Sequence, residues 1–132
     1  MKKLLLIVAL AAFSAHGAFA QSRYWNGISK SDAQAKGIVN DRFTATQGKV
    51  FTLNLGQLKA TLANAPQRLS GAAGVIIEIP NAEGKIEHFR VYEFSNFSPE
   101  LQEQNPDIRS YVANGVEDPS AYLRFSMSPK RF

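Results

Sequence analysis

The sequence predicts a mainly β domain, an antiparallel β-sandwich or roll with one or two short helices. Three observations carry that class. Apolar and polar residues alternate in several short segments punctuated by Gly, Pro and Asn. Those segments show no strand-helix-strand rhythm of the kind a parallel sheet requires. Aromatic residues, nine Phe, four Tyr and one Trp, are dense enough for a packed core rather than a disordered chain.

The chain has 132 residues, one domain's worth of sequence once its start is set aside. Lys2 and Lys3 form a positive n-region, Leu4 to Phe13 an apolar run too short to span a bilayer, and Ala18-Phe19-Ala20 a small-x-small cleavage site. Residues 1–20 therefore read as a signal peptide cleaved between Ala20 and Gln21, which implies a secreted or periplasmic product. Residues 21–48 are polar and read as a loosely structured lead-in, with one helical turn available at Asp32 to Lys36. Residues 49–132 carry the domain pattern. No second apolar stretch is long enough for a membrane span, so no stable membrane insertion is expected.

Each element has a local reason. Phe51, Leu53 and Leu55 alternate with Thr52 and Asn54, the period of a half-buried strand. Leu55, Leu58 and Leu62 then follow helical spacing, with Asn54 as cap and Pro66 as stop, predicting a short helix over Gly56 to Asn64. Val75 to Ile79 is a β-branched strand closed by Pro80-Asn81-Ala82-Glu83-Gly84, a four- or five-residue hairpin loop, and Ile86 to Glu93 returns as its partner. Ser98-Pro99-Glu100 has the grammar of a helix start, and Pro106 restricts that helix to about Gln104. Ile108 to Ala113 and Ala121 to Met127 are two further strands. Ser128 to Arg131 reads as a turn toward a strand that does not arrive. The fold is thus expected to be incomplete at its C-terminal edge, and open there to self-association.

Composition narrows the chemistry. The formal charge is +4, of which Lys2 and Lys3 leave with the signal. The remaining charges are interspersed, without the basic stripe of a nucleic-acid binder, so no nucleic-acid partner is expected. There is no cysteine, and the exported chain keeps one histidine, His88. One histidine cannot build a typical zinc site, and no serine lies in a Gly-x-Ser-x-Gly context. His88 stands beside Glu87, but neighbours in a strand point to opposite faces, so the carboxylate cannot orient it. Glu83, Glu87, Glu93, Glu117 and Asp118 lack the spacing of a calcium loop. Glu93 is expected to cap a loop or to pair with Arg90 or Arg124. Phe89, Tyr92, Phe94, Phe97, Tyr111, Tyr122 and Phe125 read as core, with a stacking platform for sugars or single-stranded nucleic acid as the alternative. No catalytic, cofactor-binding or metal-binding residue is assigned.

One ordered series goes further. Ile79-Pro80-Asn81, Gly84, Phe89, Val91, Glu93, Pro99, Leu101, Pro106, Ile108, Tyr111, Gly115, Asp118-Pro119, Arg124-Phe125 and Ser128-Pro129 follow one another at set intervals. Upstream stand Phe51-x-Leu53-x-Leu55, Leu58-Lys59, Leu62 and Ala65-Pro66. Together they resemble the N-terminal propeptide region of bacterial secreted reprolysin-like zinc metalloproteases. The resemblance covers about Lys49 to Phe132. It implies a truncated piece of a precursor, since family members continue into a further strand and, later, a zinc-binding protease domain. It also implies a partner, a reprolysin-like protease domain encoded downstream or supplied in trans. The implied function is an exported, non-catalytic propeptide-like domain that assists folding or latency of that protease. The alternative is a free-standing secreted binding module for a glycan or envelope protein.

Overall fold

A computed structural model of the chain describes residues 22–37 and 48–129. The cleavage site at Ala20 and Gln21, and the segment Lys130 to Phe132, lie outside the described residues.

Six strands and three short helices follow in the order β1 (Trp25–Ile28), α1 (Lys30–Ala35), β2 (Val50–Leu53), α2 (Leu55–Leu62), β3 (Val75–Pro80), β4 (Ile86–Glu93), α3 (Pro99–Gln104), β5 (Arg109–Gly115) and β6 (Tyr122–Met127). The protein is mainly β. β1 and β2 form an antiparallel ribbon, and β3-β4-β5-β6 form a four-stranded antiparallel meander.

The described part of the polar lead-in, residues 22–37, is built into the fold. β1 pairs with β2, Tyr24 is 1% exposed in the main core, and α1 occupies the segment expected to supply a single turn. Ser29 caps α1 by accepting from the Asp32 N–H. The described residues therefore hold three short helices, one more than expected.

Side chains decide how the layers meet. Leu58 and Leu62, one helical turn apart on α2, are both 1% exposed and pack with Tyr24 and Ala65 against Ile77, Phe89, Val91, Tyr111, Ala113 and Met127. Burial of each leucine stabilises the fold by about 1.5–3 kcal/mol. Alternation along the strands puts Phe89 and Val91 on this inner face, with half-buried Leu123 and Phe125 against the same core. Tyr111 and Phe125, directly paired across β5 and β6, stack with ring centroids 5.3 Å apart. The helix and the small ribbon thus cover one face of the sheet, while the segment after β4 reaches onto the other, where Asn96 bonds Ser110 and Arg124.

The connections are fixed by short polar side chains. Asn54 and Ser98 cap α2 and α3 through side-chain acceptance from Gln57 N–H and Leu101 N–H, and Pro99 opens α3. In the β3–β4 hairpin the Asn81 side-chain oxygen accepts from the N–H groups of Glu83 and Lys85, and Gly84 takes φ +81°, a value its neighbours could adopt only with strain. Beyond Val75, the first residue of β3, the segment Pro66 to Arg68 takes that strand's place beside β4. The Glu93 N–H donates to the Pro66 carbonyl, and the Arg68 N–H donates to the Glu93 carbonyl.

Candidate functional site

Three places concentrate polar chemistry. At the first, His88 lies opposite Glu78 in the β3–β4 register, and Glu117 reaches it from the loop between β5 and β6. The Glu117 carboxylate stands 2.5 Å from His88 Nδ1 and also accepts from the His88 backbone N–H at 3.0 Å. Those bonds, the imidazole's first, hold the Glu117 carboxyl down at about 2. Burial pushes Glu78 up, but hydrogen bonds from Ser22 and the Arg23 N–H, with the charges of Arg23 and His88, outweigh it and leave its carboxyl below the ordinary value. Glu87 faces the other way and accepts from the Asn81 side-chain amide. The carboxylate that orients His88 is therefore one brought by the fold from 29 positions away, and sequence adjacency could not reveal it. No further bond joins His88 to a hydroxyl among the described residues, so this corner presents an oriented imidazole without an attached nucleophile.

The second place is a cavity of about 480 Å³ between α2, the connection from α3 to β5, and the ends of β5 and β6. Lys59, Asp107, Arg109, Tyr111 and Met127 line it. Its cations are engaged by the protein itself. Lys59 donates to the Pro129 carbonyl at 2.8 Å, and Arg109 donates to Glu93 at 3.2 Å. Glu93 sits on the inner face, so neither Arg90 nor Arg124, both on the outer face, is its partner. The expected pairing is corrected to Arg109. Burial and the Glu93 charge raise the Tyr111 phenol above its ordinary value, with Arg109 opposing.

The third place is the outer face of the sheet. Register puts Arg90, Asn114 and Tyr122 in one row across β4, β5 and β6, and Tyr92, Val112 and Arg124 in the next. Phe94 follows at the end of β4, its N–H on the Ser110 carbonyl. The guanidiniums of Arg68 and Arg124 lie 5.4 Å and 5.2 Å from the Phe94 ring centroid. Arg124 is further fixed by the Asn96 side-chain oxygen at 2.9 Å. Arg68, Arg90 and Arg124 are exposed and make no ion pair among the described residues, whereas Arg23 and Arg109 do. Of these aromatics Tyr122 is 51% and Phe94 37% exposed.

The seven aromatics singled out in the sequence thus divide. Phe89, Tyr111 and Phe125 serve the core, Tyr92, Phe94 and Tyr122 belong to the outer face, and Phe97 lies half-buried in the connection from β4 to α3, its N–H donating to Ser95 Oγ. The five carboxylates do not converge. Glu83 lies in the hairpin, Glu87 meets Asn81, Glu93 meets Arg109, Glu117 meets His88, and Asp118 accepts from Ser120 within its own turn. Among the described residues no group of three or more His, Asp or Glu side chains is placed to hold a metal ion.

Comparison of the chain with protein-family models, with curated proteins and with solved structures gives no match.

Proposed function

We propose that the chain is an exported, non-catalytic domain of propeptide type, which in an intact precursor assists the folding or latency of a zinc metalloprotease. One observation carries the reading. Several residues of the ordered series behind the resemblance hold one folding unit together: Asn81 and Gly84 form the hairpin, Phe89 and Val91 fill the core, Glu93 pairs with Arg109, Pro99 opens α3, and Tyr111 stacks on Phe125. A domain that helps another fold works through a stable surface rather than through reactive groups. The export part of the proposal rests on the Lys-Lys start, the apolar run and Ala18-Phe19-Ala20.

Two measurements test it. Mass spectrometry of the exported protein is expected to find a terminus at Gln21, and recovery of intact Met1 from the soluble cell fraction overturns export. Residues 21–132 are then added in trans to a denatured reprolysin-like protease domain during refolding. A raised yield of soluble protease, or a lag before its activity appears, supports the helper role. No effect at stoichiometric excess sinks it.

A further inference from the structure

We infer that the outer face of the sheet is a binding surface for an acidic polysaccharide, with carboxylates on Arg90 and Arg124 and a sugar ring on Tyr122. This rests on the register and charge of that face and is independent of the propeptide reading. The two rows Arg90-Asn114-Tyr122 and Tyr92-Val112-Arg124 contain no carboxylate, Val112 between the exposed side chains is buried, and the acidic side chains beside the rows, Glu78 and Glu117, are engaged by Arg23 and His88. Arg90 and Arg124 stand on strands two apart, roughly 10–12 Å from each other by strand spacing. That distance spans more than one pyranose ring.

The side-chain types fit this polymer better than its rivals. Guanidinium forks bind carboxylates through two parallel hydrogen bonds, the Asn114 amide can meet hydroxyls as donor and acceptor, and the half-exposed Tyr122 ring offers a flat apolar face with a polar tip. Phe94 fixes Arg124 and Arg68 in place, so less freedom is lost when an anion is bound. A single-stranded nucleic acid needs successive open rings for successive bases. Here the Phe94 ring is taken by two guanidiniums, leaving Tyr122 as the one ring more than half exposed among the described residues. An extended peptide satisfies its backbone on a sheet edge, and a sheet face offers it no ladder.

The test titrates residues 21–132 with polygalacturonate, with its neutral methyl ester, and with oligo-dT, at low and high salt. Polygalacturonate is expected to bind, weakening with salt, and the methyl ester to bind at least about tenfold more weakly. The double variant Arg90→Gln, Arg124→Gln is expected to lose at least about tenfold, and Tyr122→Ala several-fold, while Lys85→Gln, a single charge lost on the hairpin, stays within about twofold. All four residues are exposed or edge positions, and unchanged thermal midpoints confirm that the variants fold. No binding of polygalacturonate overturns the inference. So does binding that is indifferent to the two arginines, or oligo-dT binding as tight as polygalacturonate with the same dependence on them, which assigns the face to nucleic acid.

Discussion

Arg109 Nη1 stands 3.2 Å from the Glu93 carboxylate, the diagonal of the β4–β5 ladder on the inner face. The carboxylate side chain is only 9% exposed, while that of Arg109 is 44% exposed. Removing the cation strands a buried charge, whereas the cation itself is easily hydrated. Arg109→Ala is therefore expected to cost about 2–3 kcal/mol, below the value for a fully buried pair because water reaches one partner. Glu93→Gln, which keeps hydrogen-bonding capacity without the charge, should cost less. Urea denaturation of both variants checks the order, and an equal or reversed ranking refutes the account.

Two glycines are expected to respond in opposite directions to alanine. A Cβ at Gly115 runs into the Asp118 carbonyl oxygen, a collision between backbone segments that no side-chain rotation relieves. Gly115→Ala should lose about 1–3 kcal/mol. Gly56 lies in the first turn of α2, with its nearest such contact an ordinary 3.8 Å from Asn54 Oδ1. Gly56→Ala should gain about 0.5–1 kcal/mol from helix propensity. Thermal unfolding of the pair decides, and shifts of the same sign for both would show that the space around Gly115 can adjust.

Leu69 adopts φ 70° with 92% of its surface exposed. It bears the steric cost of a left-handed backbone without compensating burial. Leu69→Gly should raise stability by up to about 1 kcal/mol, the relieved strain being partly offset by the greater freedom of the unfolded chain. A lower melting temperature would mean that the side chain makes contacts worth more than the strain.

The pH dependence has a fixed sign. In the unfolded chain Glu117 titrates near the ordinary 4.5, and in the fold it is held at about 2. The His88–Glu117 contribution is therefore fully present above about pH 5 and is lost progressively as pH falls from 4.5 toward 2. Glu78, whose carboxyl is also lowered, adds a loss of the same sign. Glu117→Gln is expected to shallow the acid limb of a stability–pH curve between about pH 4.5 and 2. An identical acid limb in the variant would remove the pair from the explanation.

Much of the fold was legible because its causes are local. Asn54, Ser98 and Pro99 announce helix starts through bonds made within four residues, and Val75 to Ile79 with Asn81 and Gly84 announces a hairpin. β1 was not legible. Its sequence Trp-Asn-Gly-Ile has the turn-like pair Asn26-Gly27 at its centre, and only pairing with β2 keeps it extended. The helix-capable patch beside it gave one turn of evidence, and Ser29 supplied the cap that completes α1.

The polar sites were less legible for the same reason. Alternation identified which side of β4 carries Phe89 and which carries His88, but not that Glu117 would arrive at His88 from another loop. The Arg68–Phe94–Arg124 cluster draws on the segment after α2, the end of β4 and the middle of β6. No spacing rule connects those three positions. They meet because the Pro66 to Arg68 segment takes over the place beside β4 where β3 leaves off.

The indole of Trp25, the chain's single tryptophan, donates to the Glu78 carbonyl on the edge of β3 at 2.6 Å. An optical reporter is thereby built into the seam between the N-terminal ribbon and the main sheet. Fluorescence follows the undocking of that ribbon, while far-ultraviolet circular dichroism is dominated by the meander. If both unfold as one cooperative unit the two signals trace a single curve. Detachment of the ribbon ahead of the sheet separates them, and does so without any label or substitution.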